Sequence, residues 1–344
     1  MLERAHTIAE GVLFPAAAEV DAQGVIPRSH FDLLAEQGFY GLAADPEHGG
    51  AEVSLADLAE IMETLAGGCL ATTFTWMQHH RVVRALTRTA NPELREKYSA
   101  AAIRGEVRAG VAYAGAIPRP PLLWASATDG GWLLSGEAPF VTGWGLIDLL
   151  QVAARNRAIA EGHSEGAIIF GLIDPVADAG ITIEPMRLVA AQGSNTVRLR
   201  FADYPLPAEK VTAEISSQDF LAGQPRNVRL SGCLPTGIAT RCIRMIGEAG
   251  RGEIAEALSA QRDVVRHRFD TGLQDPARLP AVRAAAAELA YRSAGALVVA
   301  VGSRGIVARA HAQRLVREAT FTLVAGGRPE IKESLLEMLD HVHG

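Results

Sequence analysis

The order of its periodic segments constrains the fold of this chain more than any other feature. Residues 1–106 place apolar side chains at helical spacing, whereas residues 107–214 alternate or form short apolar runs that are typical of strands. From 215 to 344 the helical pattern returns. The sequence therefore predicts an α+β, multi-domain chain, with an N-terminal helical bundle, a middle small β-barrel or sandwich and a C-terminal helical bundle over these three ranges.

Local signals give some of the element ends. Ser29 and Ser54 each precede an aspartate by three residues, which resembles a capping box and predicts two helix starts. Asn91 before a proline predicts a third helix start. In the middle segment, Asp129-Gly130 predicts a hairpin turn, and the stretch VRLRF at 197–201 alternates strictly between apolar and charged residues.

Composition and charge exclude several classes of partner. The net charge is −6 and no basic cluster occurs, so we expect no nucleic-acid binding. The N-terminus is charged, and the longest apolar run, at 296–301, is too short to cross a bilayer, so we expect neither a signal peptide nor a membrane span. The three cysteines fit no metal motif. We therefore expect a cytoplasmic protein with no metal site.

A glycine-flanked stretch rich in aromatic residues, GEAPFVTGWG at 136–145, carries the main functional signal. Its core, Phe140-Val141-Thr142-Gly143, resembles the Trp-x-Thr-Asn/Ser-Gly motif of the acyl-CoA dehydrogenase family. Other stretches resemble that family in the same order, among them PEHGGAEVSLADL, RLRFADYPLP, GSRG and HAQRLVREATFTLVAGGRPEI. The helical, strand and helical layout is also similar to that family.

The resemblance implies an FAD site. Phe140 would pack on the isoalloxazine, the Thr142 hydroxyl would lie near its N5, and the Tyr113 backbone would touch its edge. Arg304 and Gly305, in the stretch that resembles Gly-Gly-x-Gly, would lie near the diphosphate, with Arg309 as an alternative. The substrate implied is an acyl thioester of coenzyme A or of an acyl carrier protein, and the assembly implied is a homodimer or homotetramer.

Departures from the family pattern concern the chemistry. The family's catalytic glutamate aligns with Gly326, and the earlier helix position used by some members aligns near Asn227, so no catalytic base is identified. His79 is a weak candidate for that role; His79 and His80 point about 100° apart on a helix, so at most one reaches the pocket. About thirty residues are missing between 237 and 272, and we expect Arg266 on a solvated helix face.

The resemblance thus implies a flavin-dependent oxidoreductase that introduces a double bond between the α and β carbons of an acyl thioester. Two alternatives stay open. One is a flavin monooxygenase on the same scaffold, because a reaction that activates oxygen does not need the glutamate. The other is a non-catalytic partner subunit that pairs with a complete homologous subunit.

Overall fold

Helices enclose a single mixed sheet in the computed structural model, which describes residues 1–158 and 166–340. The helices are α1 (Leu2–Ile8), α2 (Phe14–Gln23), α3 (Arg28–Glu36), α4 (Leu55–Gly68), α5 (Leu70–Arg88), α6 (Pro92–Arg104), α7 (Ser217–Ala222), α8 (Gln224–Ser231), α9 (Cys233–Glu248), α10 (Gly252–Gly272), α11 (Leu279–Val301), α12 (His311–Val324) and α13 (Pro329–Asp340). A π-helical stretch, Ala9–Leu13, joins α1 to α2.

The strands all lie between the two helical blocks. They are β1 (Ala109–Ala112), β2 (Leu123–Thr128), β3 (Gly131–Val141), β4 (Leu149–Asn156), β5 (Ile168–Ile173), β6 (Ile181–Pro185), β7 (Val197–Pro207) and β8 (Val211–Ile215). The strand order is β6-β7-β3-β2-β4-β5-β8, and β1 pairs with β4. The pairs β1–β4 and β2–β4 are parallel, and the others are antiparallel.

The predicted fold class is confirmed, with one difference in how the helices pack. The two helical blocks share one hydrophobic core, which joins residues of α1–α5 to residues of α8–α12, rather than forming two separate cores. Buried side chains of the strands form a second hydrophobic core. The division into three domains stays a prediction; the last N-terminal helix ends at Arg104, and the predicted second boundary lies inside β8.

Most of the local signals are confirmed. Ser54 and Asn91 accept hydrogen bonds from the first amides of α4 and α6, and the turn at Asp129-Gly130 joins β2 to β3. The helix start predicted at Ser29 is wrong. Helix α3 begins at Arg28, directly after Pro27, so the Ser29 side chain lies in the first turn and caps nothing. All three cysteines are free and buried.

One helix passes a length and composition test for membrane spans. The segment Pro276–Ile306, which contains α11, is long and apolar enough by that test alone. In the fold, α11 packs against α9, α10, α12 and α13, and the Arg283 guanidinium, buried on α11, donates to the carbonyl oxygens of Thr322 and Ala325. These contacts are those of a core helix in a bundle.

Helices α4 and α9 approach each other closely because both carry glycine at the crossing. A Cβ atom on Gly67 would lie 3.0 Å from the Gly237 carbonyl oxygen, and a Cβ atom on Gly237 would clash with the Glu63 carbonyl oxygen. Backbone therefore meets backbone at this point, and no larger side chain fits between the helices. This contact joins the N-terminal helices to the C-terminal helices.

The glycine contact predicts opposite effects for two substitutions on α9. Gly237→Ala forces α4 and α9 apart and should lower the free energy of unfolding by roughly 3 kcal/mol. Gly247→Ala adds a methyl group at an exposed helical position where its nearest neighbour would be 3.7 Å away, and should leave stability unchanged or raise it by up to about 1 kcal/mol. Urea-induced unfolding followed by circular dichroism measures both. Equal stability of the two variants would contradict the proposed crossing.

Candidate active site

A β-bulge at the end of β3 sets the position of the aromatic motif. Ala138 pairs with Leu199 and Val141 with Val197, so two residues of β3 lie opposite one residue of β7. Phe140 occupies the bulge with a φ of 56° and a side chain that is 59% exposed. A positive φ is uncommon for an aromatic residue and costs about 1 kcal/mol or more. The strand is therefore strained in a way that presents a flat apolar ring at the surface.

The rest of the motif is buried beneath that ring. The Val141 side chain lies in the sheet core, and Thr142 is 4% exposed. The Thr142 Oγ1 lies 3.3 Å from the Thr196 Oγ1, which lies 2.8 Å from the Ser194 Oγ. The Gly143 amide donates to the Ser194 carbonyl oxygen at 2.8 Å. A hydroxyl has one donor and two acceptor positions, so Thr142 retains hydrogen-bonding capacity beyond its contact with Thr196.

Helix α5 connects this motif to the interior of the protein. A Cβ atom on Gly143 would lie 3.3 Å from the Thr75 Cγ2 on α5. Six residues further along α5, about 9 Å along its axis, the Arg81 guanidinium lies 5.8 Å from the centre of the Tyr113 ring. The Tyr113 hydroxyl donates to the Gln151 Oε1, and burial raises the pKa of Tyr113. Tyr113, directly after β1, therefore lies where the sheet meets α5.

The stretch that resembles Gly-Gly-x-Gly follows the end of α11. Gly305 is buried, and Arg304 is exposed, with a side chain that forms no hydrogen bond or ion pair with any described residue. Across the described ranges 1–158 and 166–340, no hydrogen bond, ion pair or ring contact joins Arg304 to the motif on β3. The alternative residue, Arg309, pairs with Glu19 at 3.1 Å. Within one chain, these residues therefore do not contact residues 140–143, the aromatic wall.

His79 is a structural cross-link and does not fit the role of a base. Its Nε2 donates to the Ala102 carbonyl oxygen at 3.0 Å, and its Nδ1 accepts from the Ala109 amide at 3.0 Å. This tautomer follows from the two partners. Burial lowers the pKa of His79 to about 3. Both ring nitrogens are occupied in tying α5 to the end of α6 and the start of β1, so neither is left to transfer a proton.

A cavity of about 40 Å³ lies between α4, α5 and α8. Its polar lining residues are His80, Arg81, Arg84, Arg226, Asn227 and Ser231, and its apolar lining residues are Ala43, Met62, Met77 and Leu230. A Cβ atom on Gly326 would lie 3.8 Å from the Ser231 Cβ. Asn227, one of the two positions that align with the family's glutamate, therefore lines this cavity, and the other, Gly326, lies beside the lining residue Ser231. No carboxylate lines this cavity among the described residues.

Positive charge is concentrated around the cavity. The side chains of Arg81, Arg84 and Arg226 form no hydrogen bond or ion pair with the described residues, and the Nε of Arg226 is buried without a partner. Burial, with Arg226 and Arg88 nearby, lowers the pKa of Arg84 to about 10. Both ring nitrogens of buried His80 also lack a partner, and burial lowers the pKa of His80 well below its usual value.

Sequence reasoning missed these arginines, although a signal was present. Arg81, Arg84 and Arg88 follow each other at spacings of three and four residues, which places them on one face of α5. Arg226 and Asn227 come from α8, and only tertiary packing brings them to the same cavity. Arg266, expected on a solvated face, instead donates to Glu63 at 2.7 Å, and Glu63 is 2% exposed and also contacts Arg229. That expectation was wrong.

The His79 cross-link predicts how stability depends on pH. In the unfolded chain the pKa of His79 returns to about 6.5, whereas in the fold it is about 3. Between these values the unfolded chain binds a proton that the folded chain does not, so His79 makes the folded state less stable as the pH falls through this window. His79→Gln should lower stability at pH 7, because one hydrogen bond is lost, and should flatten its decline between pH 6.5 and 4.

Urea-induced unfolding at stepped pH measures this effect. His267→Gln changes an exposed histidine and should keep the pH dependence of the unmodified protein. If His79→Gln lost stability with falling pH as steeply as the unmodified protein, the cross-link would not be the source of that dependence.

Comparison with known proteins agrees with this geometry. Residues 1–106 match the family model described as acyl-CoA dehydrogenase, N-terminal domain. The mitochondrial 2-methylacyl-CoA dehydrogenase of Solanum tuberosum is 23% identical over 373 aligned positions, which cover 98% of this chain and 90% of the relative. The solved butyryl-CoA dehydrogenase from Megasphaera elsdenii has a TM-score of 0.82 and 18% identity, covering 99% and 97% of the two chains. A glutaryl-coenzyme A dehydrogenase in complex with glutaryl-CoA has a TM-score of 0.84 and 15% identity, covering 98% and 94%.

The fold, with an exposed aromatic wall on a sheet between two helical blocks, is the fold of these solved acyl-CoA dehydrogenases. Residues 1–106 match this family's N-terminal domain, and over nearly its whole length the chain is similar to acyl-CoA dehydrogenases.

Proposed function

We propose that this protein is an FAD-dependent oxidoreductase that acts on an acyl thioester of coenzyme A or of a carrier protein, by dehydrogenation between the α and β carbons. The observation that carries this proposal is the Phe140 ring, held exposed by a strained bulge of β3. A solvent-exposed ring at a positive φ has no packing reason in the chain itself. A flat aromatic ligand stacked on this ring would offset the cost of the strained backbone.

The residues of the wall fit an isoalloxazine. Phe140 offers an open face for stacking, Gly143 allows close backbone approach, and Thr142 has hydrogen-bonding capacity left over at the base of the wall. Bound there, FAD would supply the acceptor for the hydride that leaves the substrate. Tyr113 and α5 then lie between this wall and the cavity that Gly326 and Asn227 approach. The acyl part of the substrate would reach from the wall into that cavity.

The lining of the cavity favours a second candidate as well. Dehydrogenation requires a group that takes the α proton, and the described lining residues include no carboxylate. The depressed pKa of His80 makes it too weak a base to take that proton. A flavin monooxygenase on the same scaffold does not need that proton acceptor, because the flavin reacts with oxygen instead.

Flavin content and anaerobic reduction distinguish these candidates. Purified protein supplied with FAD should retain it and show visible flavin absorption. Anaerobic addition of an acyl thioester, either butyryl-CoA or glutaryl-CoA, should bleach that absorption if the enzyme dehydrogenates acyl thioesters. Bleaching only by an added reductase with NADH, followed by oxygen-dependent product formation, would support the monooxygenase. A colourless protein that takes up neither FAD nor FMN would contradict both and leave a non-catalytic partner subunit.

A glycine substitution tests the role of Phe140 itself. Phe140→Gly removes the stacking surface and relieves the strained backbone, so it should weaken FAD binding about tenfold and raise the free energy of unfolding by about 1 kcal/mol. Asp203→Gly, at a φ of 51° on exposed β7, relieves similar strain while losing only a hydrogen bond from Ser135. It should keep normal FAD affinity, as measured by fluorescence titration. Unchanged affinity in Phe140→Gly would remove the wall from the proposal.

We further propose that the chain assembles into a homodimer or homotetramer in the cytoplasm. Exposed apolar side chains on and around α11 and α12 support self-association; they are Tyr291, Val299, Ile306, Val307 and Val324. Because Arg304 lies in the same region and has no partner among the described residues, a neighbouring subunit's flavin is a suitable contact for it. The buried, free cysteines suit a reducing compartment.

A further inference from the structure

We propose that the cavity between α4, α5 and α8 binds an anionic group at the far end of the acyl substrate, a carboxylate or a group of the same charge and size. The inference rests on the proposed function for the rest of the ligand, which is the acyl thioester. It adds the substrate class: a thioester whose acyl chain ends in a second acid group.

The first observation is that three guanidinium groups line one cavity without hydrogen-bond or ion-pair partners. Arg81, Arg84 and Arg226 all border it, and none of their side chains forms a hydrogen bond or an ion pair with a described residue. By contrast, buried Arg229 contacts Glu63 and Asp270, buried Arg314 contacts Glu318, and buried Arg283 donates to two backbone carbonyl oxygens. Unpaired guanidinium groups in a part-buried site are costly unless a ligand completes them.

The carboxylates near the cavity are already engaged. Asp45, which lies close enough to influence Arg84 and Arg226, pairs with Arg88 at 3.1 Å. On α4, Glu63 is held by Arg229 and Arg266. The positive charge of Arg81, Arg84 and Arg226 is therefore not balanced by the helices that surround the cavity.

The cavity also has the size and polarity for an acid group. Its volume of about 40 Å³ has room for roughly three water molecules or one carboxylate. Buried His80 presents two ring nitrogens without partners, and one of them carries a proton in either tautomer and donates to an anion. Met62 and Met77 supply apolar surface for the methylene groups that lead to the acid group.

The position of Asn227 explains why the anion comes with the ligand. A glutamate at position 227 would place a carboxylate at the border of this cavity and neutralise part of its charge. This chain has asparagine there and keeps the arginines. The charge complementarity of the site is consequently left to the substrate, and an uncharged acyl chain would leave the guanidinium groups desolvated and unpaired.

Two thioesters of equal chain length test the inference. Glutaryl-CoA and pentanoyl-CoA share five acyl carbons, and only the first has a terminal carboxylate. Calorimetric titration of the FAD-loaded protein under anaerobic conditions should give at least tenfold tighter binding of glutaryl-CoA. Arg84→Gln and Arg226→Gln should each reduce that preference roughly ten- to hundredfold, because each removes a charge-assisted hydrogen bond. Arg278→Gln, which changes an exposed arginine outside the cavity, should keep it.

Thermal unfolding provides a readout that a structural role would not produce. Because Arg84 and Arg226 repel each other and Arg88, Arg84→Gln and Arg226→Gln should unfold at the same temperature as the unmodified protein or higher. A loss of glutaryl-CoA preference together with lower melting temperatures in both variants would mean that the arginines serve the fold, and would overturn the inference.

Free anions distinguish the sources of the charge. Glutarate and inorganic phosphate should bind far more weakly than glutaryl-CoA, because they lack the thioester part. Tight binding of either free anion, or equal affinity for glutaryl-CoA and pentanoyl-CoA, would overturn the inference. In the second case, FAD retention and thioester binding would leave the proposed function standing. Loss of FAD and of both thioesters would instead remove the proposed function.

Discussion

The close crossing of α4 and α9 is the contact on which the rest of the molecule depends. Glycines at Gly67 and Gly237 let the two backbones meet, and the helical segments before and after the sheet thereby share one core. Helix α8 leads directly into α9, so this crossing also sets the position of α8 opposite α5. The cavity exists because helices from both ends of the chain are held at this distance.

The arginines in the interior fall into two groups, which differ in whether a carboxylate contacts them. In the network of Glu63, Arg229 and Arg266, and in the buried pair of Arg314 and Glu318, each cation has a carboxylate partner. Around the cavity, the arginines have none among the described residues. Since part-buried charge without a hydrogen-bond or ion-pair partner opposes folding, three such arginines beside Asn227 indicate a binding site rather than a structural feature.

A strained backbone at Phe140 lies at the other end of the proposed site. Phe140 adopts a backbone conformation that costs about 1 kcal/mol or more and exposes its ring to solvent. Both features oppose stability, and both become favourable when a flat ligand covers the ring. Helix α5 links this wall to the cavity through Thr75 near one end and Arg81 further along. Recognition of a flavin and recognition of the acyl end are thus carried by one rigid element.

The sequence by itself determined the fold class, because the change from helical to strand-like periodicity and back is a local property of the chain. It also located the capped starts of α4 and α6 and drew attention to Phe140. It could not place Ser29, since the proline before it set the helix start, nor Arg266, since the buried Glu63 that it contacts is 203 residues away. Only the tertiary structure decided which polar residues face each other. Arg84 and Arg226, like His80 and Asn227, come from helices far apart in sequence, and long-range packing brought them to one cavity.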